Sequence, residues 1–198
     1  MALQIEDGTG NAYRAKVDST KRLHTDSVAR TEREQAALLG NCYNVSTGPI
    51  TLTSANASAV FYFCYEGSVP FVIEEILVIL GGTTGGSGDA TVEILKNPSA
   101  GTLVSNAVAV DTNENRDFSS SQVITGNLYK GAEGYTITDG VNFAKTTRNS
   151  FGTVISFDAA PIVLRKGNSI AVRYTPPASN TSQSCTVAMT GLEEEAEL

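Results

Sequence analysis

From Pro49 to Thr190 the chain is a succession of short β-branched and aromatic runs cut by Gly, Pro, Asn, Asp and Ser, with no sustained helical period of apolar residues. With turns at such short intervals, the layer that buries one sheet is another sheet. The pattern therefore predicts an all-β protein, an antiparallel two-sheet sandwich. Residues 1–48 do not share it. They are polar and charge-mixed, with too few large apolar side chains for a core, and read as an extended N-terminal arm ordered only by a neighbour. The expected organisation is an arm over 1–48, a sandwich over 49–190 and an acidic tail over 191–198.

Alternation and breakers mark the strands. Ile50-Thr51-Leu52-Thr53 alternates, 59–65 is a continuous β-branched and aromatic run, and Phe71-Val72-Ile73 leads through Glu74-Glu75 into 76–80. Two carboxylates inside such a run mark a bulge or bend, although in a regular strand they face opposite sides of the sheet. Residues 81–89, rich in glycine, read as a long loop. Residues 90–96, the turn Asn97-Pro98-Ser99-Ala100-Gly101 and 102–105 read as a hairpin. Further strands are expected at 122–125, 135–138, 153–157, 162–164, 169–175 and 185–189, about nine to eleven in all. A jelly roll is the preferred topology, and an immunoglobulin-like sandwich the alternative.

The arm holds one credible helix, near 31–39. Thr31-Glu32-Arg33-Glu34 matches a capping box, Gln35-Ala36-Ala37-Leu38-Leu39 are good helix formers, and Gly40 ends the run. A helix of about two to three turns is not stable alone, so Ala37, Leu38 and Val28 are expected to pack on the sandwich or on another chain.

At 198 residues and 41% hydrophobic, the chain suits one globular domain whose core needs neither disulfides nor metals. Cys42, Cys64 and Cys185 are an odd, widely spaced set, and Met1 leads into polar sequence without a secretory pattern. Reduced thiols and cytosolic synthesis are the expectation, with Cys64 and Cys185 in the core and Cys42 the accessible one. The sequons at Asn44, Asn56 and Asn180 carry little without secretion. No apolar stretch approaches the roughly 18 residues of a spanning helix, so no membrane partner is expected. The net charge is −7. The arm to Gly40 balances six cations with six anions, while Glu193, Glu194, Glu195 and Glu197 have no cation beside them. Nucleic acid needs a clustered positive surface and is not expected as a partner; the Glu run reads as a solvated tail.

The chemistry inventory points away from an enzyme. His24 is the sole histidine and lies in the arm, which leaves histidine-rich metal sites and histidine-assisted nucleophiles without their parts. Paired-carboxylate glycoside hydrolysis has Glu74, Glu75, Glu93, Asp111, Glu114, Asp117 and Asp158 to draw on, but sequence neighbours do not make a catalytic pair. The chain has no Trp, which weakens a sugar-platform reading. Residues 81–86 lack the Lys-Ser/Thr and the helix of a phosphate cradle, and 111–117 lacks the glycine and closing glutamate of a calcium loop. No catalytic residue, metal or cofactor is assigned.

Several segments together resemble tailed-bacteriophage virion structural proteins. They are Asp7-Gly8-Thr9-Gly10-Asn11 with Ala15-Lys16-Val17-Asp18 and Arg22-Leu23; Tyr43-Asn44-Val45-Ser46-Thr47-Gly48 before Ile50-Thr51-Leu52-Thr53; Asn97-Pro98 with Gly101-Thr102; and Leu164-Arg165-Lys166-Gly167-Asn168-Ser169-Ile170-Ala171. The resemblance implies a jelly-roll cement or decoration protein on the capsid surface of a virion, made in the host cytoplasm. Such a protein is non-enzymatic, is often oligomeric, and is attached by terminal arms. The expected partners are the major capsid protein and further copies of the chain, as a trimer or a dimer. The arm's small apolar residues Leu3, Ile5, Val17, Leu23, Val28 and Leu38 are the candidate contacts. The alternative is a tail or fibre component that binds a host-surface glycan or a tail protein.

Overall fold

A computed structural model describes residues 31–84, 88–149, 152–157, 161–179 and 182–194. The chain divides into two units after Thr31, and every helix and strand described belongs to the unit from Glu32 onward. Its described residues form a short helix, α1 (Glu32–Leu38), and then β1 (Cys42–Ser46), β2 (Ile50–Leu52), β3 (Ser58–Tyr65), β4 (Phe71–Thr84) and β5 (Asp89–Lys96). A one-turn helix, α2 (Thr102–Ser105), precedes β6 (Val108–Ala109), β7 (Thr112–Asn115), β8 (Gly126–Lys130) and β9 (Val141–Asn149). The chain continues through β10 (Thr153–Phe157), β11 (Ile162–Leu164), β12 (Ser169–Thr175) and β13 (Ser182–Glu193).

All pairings among these strands are antiparallel and fall into two sheets. The first runs β10-β4-β13-β1-β7, with β11 continuing the line of β10 along β4 and β2 continuing that of β1 along β13. The second runs β6-β8-β3-β12-β5-β9. Counting β1 with β2 and β10 with β11 as single lines, the chain passes from sheet to sheet at nearly every step. The last line, β13, ends in the middle of the first sheet, between β4 and β1. The two sheets are thus wound into each other and are not stacked as separate halves. One excursion, 97–140, separates β5 from its neighbour β9. Its β6 and β8 extend the second sheet past β3 and its β7 extends the first past β1, so this flank of the sandwich is built out on both layers.

Side-chain parity explains where the core lies. Phe61, Phe63 and Tyr65 of β3 face inward against Phe71, Ile73, Ile76, Val78 and Leu80 of β4. Phe63 and Phe71 meet edge-on with centroids 5.4 Å apart, and Tyr65 and Tyr43 also lie on Phe71, at 5.4 and 6.3 Å. Each such pair contributes about 0.5–1.5 kcal/mol beyond area burial, across the layers for Phe63 and Tyr65 and within the first sheet for Tyr43. The outward residues of β3, Tyr62 and, past a bulge at Val60 that resets the parity, Ala59, are buried as well, because Leu103 and Ile137 of the excursion cover the outer face of the second sheet. That double burial is why 59–65 reads as an unbroken apolar run. Gly131 allows the excursion to come this close: a Cβ there would lie 1.8 Å from Ala59 O. Glu133 clasps the same segment to the β2–β3 connection, accepting from the Thr53 amide at 3.0 Å and the Thr53 hydroxyl at 2.7 Å.

The Glu74-Glu75 expectation is realised as a bulge with an unexpected orientation. Opposite β13 the register passes from Glu75↔Thr190 to Ile73↔Gly191, leaving Glu74 as the extra residue. Both carboxylates consequently lie on the outer face, not on opposite faces: Arg33 of α1 approaches Glu74, and the Ser156 hydroxyl donates to Glu75 at 3.0 Å.

Other expectations are corrected by pairing that local sequence does not reveal. The 90–105 hairpin does not form: β5 pairs with β12 and β9, and 102–105 is the helix α2, anchored by the buried Leu103. Residues 81–84 are not loop but the end of β4, where Gly81 and Gly82 pair with Ser184 and Gln183. Residues 122–125 form no strand; of these only Ile124 is buried, as a core plug. Over 135–138 pairing is limited to the single bridge between Ala100 and Thr138. The stretch compared with a calcium loop contains β7. The body starts earlier than Pro49, at Cys42, and β13 carries the sandwich through Glu193, into the segment expected to be tail.

The thiols also change places. Cys42 and Cys185 are buried, and Cys64, on the outer face of β3, is the partly exposed one. Burial pushes the Cys185 thiol up to about 12. Maleimide labelling of the native protein is therefore expected to modify Cys64 first and to reach Cys42 and Cys185 only on denaturation, as peptide mass mapping would show.

Candidate interaction surfaces

Of the expected arm over 1–48, α1 and β1 are the elements described, and both are built into the sandwich. Ala36 is buried and Ala37 partly buried against Cys42, Val72 and Leu192 on the outer face of the first sheet. Gly40, at φ +74°, closes the helix: its amide donates to Ala37 O at 3.2 Å and the Asn41 amide to Ala36 O at 2.7 Å, a paired terminus that needs a left-handed residue. Asn115 of β7 donates from Nδ2 to Gly40 O at 2.6 Å, fixing the junction. Arg33 Nε stands 3.1 Å from Glu74 Oε2 but off the angle of a directed hydrogen bond, so that contact is chiefly Coulombic. It is half-exposed and worth at most about 1 kcal/mol. The apolar seat, not the ion pair, holds the helix.

Of the six candidate arm contacts, Leu3, Ile5, Val17, Leu23 and Val28 lie outside the described residues. Leu38 does not pack on the body; it is 60% exposed beside the exposed Leu39. Beyond α1 the same sheet face presents Ile79, 40% exposed, opposite Val154, 57% exposed, with Leu77 half-buried in the next row. Contiguous exposed apolar side chains of this kind mark contact surfaces more often than isolated ones do. Sequence reading missed this patch because strict alternation around 76–80 was hidden by apolar residues on both faces.

Two carboxylates, Glu93 and Glu193, have structural partners. Glu93 sits opposite both Arg173 and Lys145 on the outer face of the second sheet. Arg173 Nε lies 2.7 Å from Oε2, Lys145 Nζ 3.2 Å from Oε1, and Asn142 donates to Oε1 at 3.1 Å. The Arg173 hydrogen bond, above all, holds this carboxyl below its ordinary range. At one end of the sandwich Tyr65 donates to Glu193 Oε1 at 3.0 Å and Tyr43 to Oε2 at 3.5 Å. Burial first, then the Glu193 charge, pushes the Tyr43 hydroxyl up to about 12 and Tyr65 higher. Among the described residues no group of three or more His, Cys, Asp or Glu side chains is placed to hold a metal ion, and no helix is long and apolar enough to cross a membrane.

A phenol whose folded pKa is raised stabilises the fold fully below its unfolded value, near 10, and loses that contribution as pH rises through the folded value. Ultraviolet titration is expected to show Tyr43 and Tyr62 ionising only near pH 12, and Tyr65 and Tyr174 later still or with unfolding, so stability falls as pH rises from about 10 to about 12. For the helix seat, Ala36→Glu is expected to cost about 2–4 kcal/mol and to open Cys42 to thiol reagent, whereas Leu38→Glu leaves the melting curve and Cys42 protection unchanged. The chain matches no protein-family model and no curated protein.

Proposed function

We propose that this protein is a non-enzymatic virion structural protein that binds the outside of a bacteriophage capsid and cements neighbouring coat subunits. The observation that carries the reading is the strand order. Leaving aside β6, β7 and β8 of the excursion and numbering the remaining lines in chain order, the first sheet runs sixth-third-eighth-first and the second second-seventh-fourth-fifth. That interlocked order favours a jelly roll over an immunoglobulin-like sandwich, whose sheets are assembled differently. A rigid wedge of this kind suits the gap between coat subunits. The polar segment 1–30, attached beside a helix fixed on the sheet face, supplies additional contact area and avidity without a large preformed groove. Leu38 and Leu39 beside that attachment point, and Ile79 with Val154 farther along the first sheet, give the body exposed apolar side chains. The major capsid protein is the partner this reading requires, and further copies of the chain, as a trimer or dimer, are its natural assembly.

The seat of α1 determines where a truncation must cut. Removing residues 1–40 would strip Ala36 from Cys42, Val72 and Leu192 and confuse misfolding with lost binding. Removing residues 1–30 leaves that seat and the sandwich in place. The truncated protein is expected to melt within about 1 kcal/mol of the full chain and to lose co-sedimentation with undecorated capsids; co-sedimentation of the full chain is expected to depend weakly on salt because residues 1–30 carry five cations against four anions. Electron microscopy of decorated particles completes the test. Density over the icosahedral shell supports the cement reading, and density at a single vertex sinks it in favour of a tail component.

A further inference from the structure

The excursion builds out one flank of the sandwich; among the described residues no further strand extends the opposite flank. There β9 is the last strand of the second sheet, and β11 lies at the edge of the first. Between them is a groove of about 390 Å³ lined by Phe143, Ile162, Leu164 and Ile170, with Lys96 and Asn168 among its polar groups. A bulge leaves Phe143 as the extra residue between Ala144, opposite Ile94, and Asn142, opposite Leu95. The side chain is 58% exposed in consequence.

Charge singles out the same flank. Residues 41–198 carry eight Lys and Arg against fifteen Asp and Glu. Yet Lys96, Lys145, Arg148, Arg165, Lys166 and Arg173 all belong to β5, β9, β12 or the turn before β12. Glu93 takes up Lys145 and Arg173; the other four have no ion-pair partner among the described residues. We propose that this groove and the β9 edge are a docking site for an extended acidic segment of a partner protein, one apolar side chain seated against Phe143 and Ile162 and its flanking carboxylates on Lys96, Arg165 and Lys166.

Three features select that occupant. An unpaired strand edge offers a row of amides and carbonyls that an extended peptide satisfies and a compact small molecule does not. The bulge and the edge lysine oppose pairing with a second basic, hydrophobic edge, as a second copy of β9 would be, while carboxylates turn the cations into partners. A narrow apolar floor does not suit a phosphate backbone, which needs a broad positive surface. The proposal does not depend on the partner being a coat protein.

The probe is a fluorescent peptide, Gly-Glu-Glu-Leu-Glu-Glu-Gly, titrated with the full chain by anisotropy at low salt. Three controls accompany it: the same peptide with Lys for Glu, one with Ala for Leu, and unlabelled hexaglutamate as competitor. Saturable binding is expected for the acidic peptide, weakening about tenfold or more in the Lys96→Glu/Lys166→Glu variant and in Phe143→Ala, with melting curves unchanged. The charge-swapped variant is expected to prefer the Lys peptide, an inversion that loss of folding cannot produce. The proposal is overturned by absent binding at millimolar protein, by affinity indifferent to both variants, or by hexaglutamate competing as well as the probe. It is also overturned if light scattering shows the charge swap dissociating an oligomer while peptide binding is untouched, which would make the flank a self-contact.

Discussion

The pairing of β13 with β4 is the interaction on which the sandwich depends. It runs from Ser182↔Thr84 to Glu193↔Phe71 with two register shifts, and β10 and β11 hang on its far side while β1 and β2 hang on its near side. The last strand of the chain is thus a central strand. Until it is in place, β4 and β1 each present an open edge and the first sheet is two fragments. Assembly of the core then waits on contacts between residues far apart in sequence, the regime in which chain-closure entropy slows folding. Gly191 marks the tightest point of that closure: a Cβ there would lie 2.5 Å from the Phe71 ring.

Polar groups at the margins of the core give this closure a single register. A slip of one residue would turn the inward set Cys185, Val187 and Met189 to solvent. It would also break the hydrogen bonds from Tyr65 and Tyr43 to Glu193, and the one from Tyr174 across the layers to Gln183. The net worth of each such bond is only about 0.5–1.5 kcal/mol, but leaving its buried members unpaired costs more, so the penalty falls on wrong registers. The row Arg173–Glu93–Lys145 does the same for three strands of the second sheet.

What was legible in the sequence depends on which forces act locally. The runs 59–65, 71–80, 153–157, 162–164 and 169–175 are strands because their composition and spacing already demand burial, and the helix ending at Gly40 could be read because capping chemistry is local. The misreadings share a cause. Thr102-Leu103-Val104-Ser105 has strand-like residues, but β5 is already paired on both sides by distant strands, leaving Leu103 to serve as a helical plug on the outer face. Gly81 and Gly82 extend β4 only because β13 is there to pair with them. The exchange of roles between Cys42 and Cys64 is a matter of what covers each face: α1 lies over Cys42, and Cys64 stands near the rim of the excursion's cover. Of the proposed attachment residues only Leu38 could be placed, and its exposure reflects a helix whose two alanines satisfy the body completely.

The two flanks of the sandwich differ in a way that bears on assembly. On one, β6, β7 and β8 lengthen both sheets, Lys130 pairs with Asp111, and acids are in excess, with Glu114, Asp117, Glu133 and Asp139 against Arg116. On the other, β9 and β10–β11 end the sheets, and four cations gather that have no ion-pair partner among the described residues. A protein with a single domain gains little stability from leaving an edge uncovered and concentrating like charge there; the arrangement costs self-repulsion that a mixed surface would avoid. The cost is recovered only when something of opposite charge occupies the edge. With α1 and its exposed leucines on a sheet face and the basic groove on the other flank, the body presents two surfaces of different chemistry, one apolar and one cationic. Two unlike surfaces on one rigid wedge allow it to engage two different neighbours at once, which is the geometric requirement for joining them.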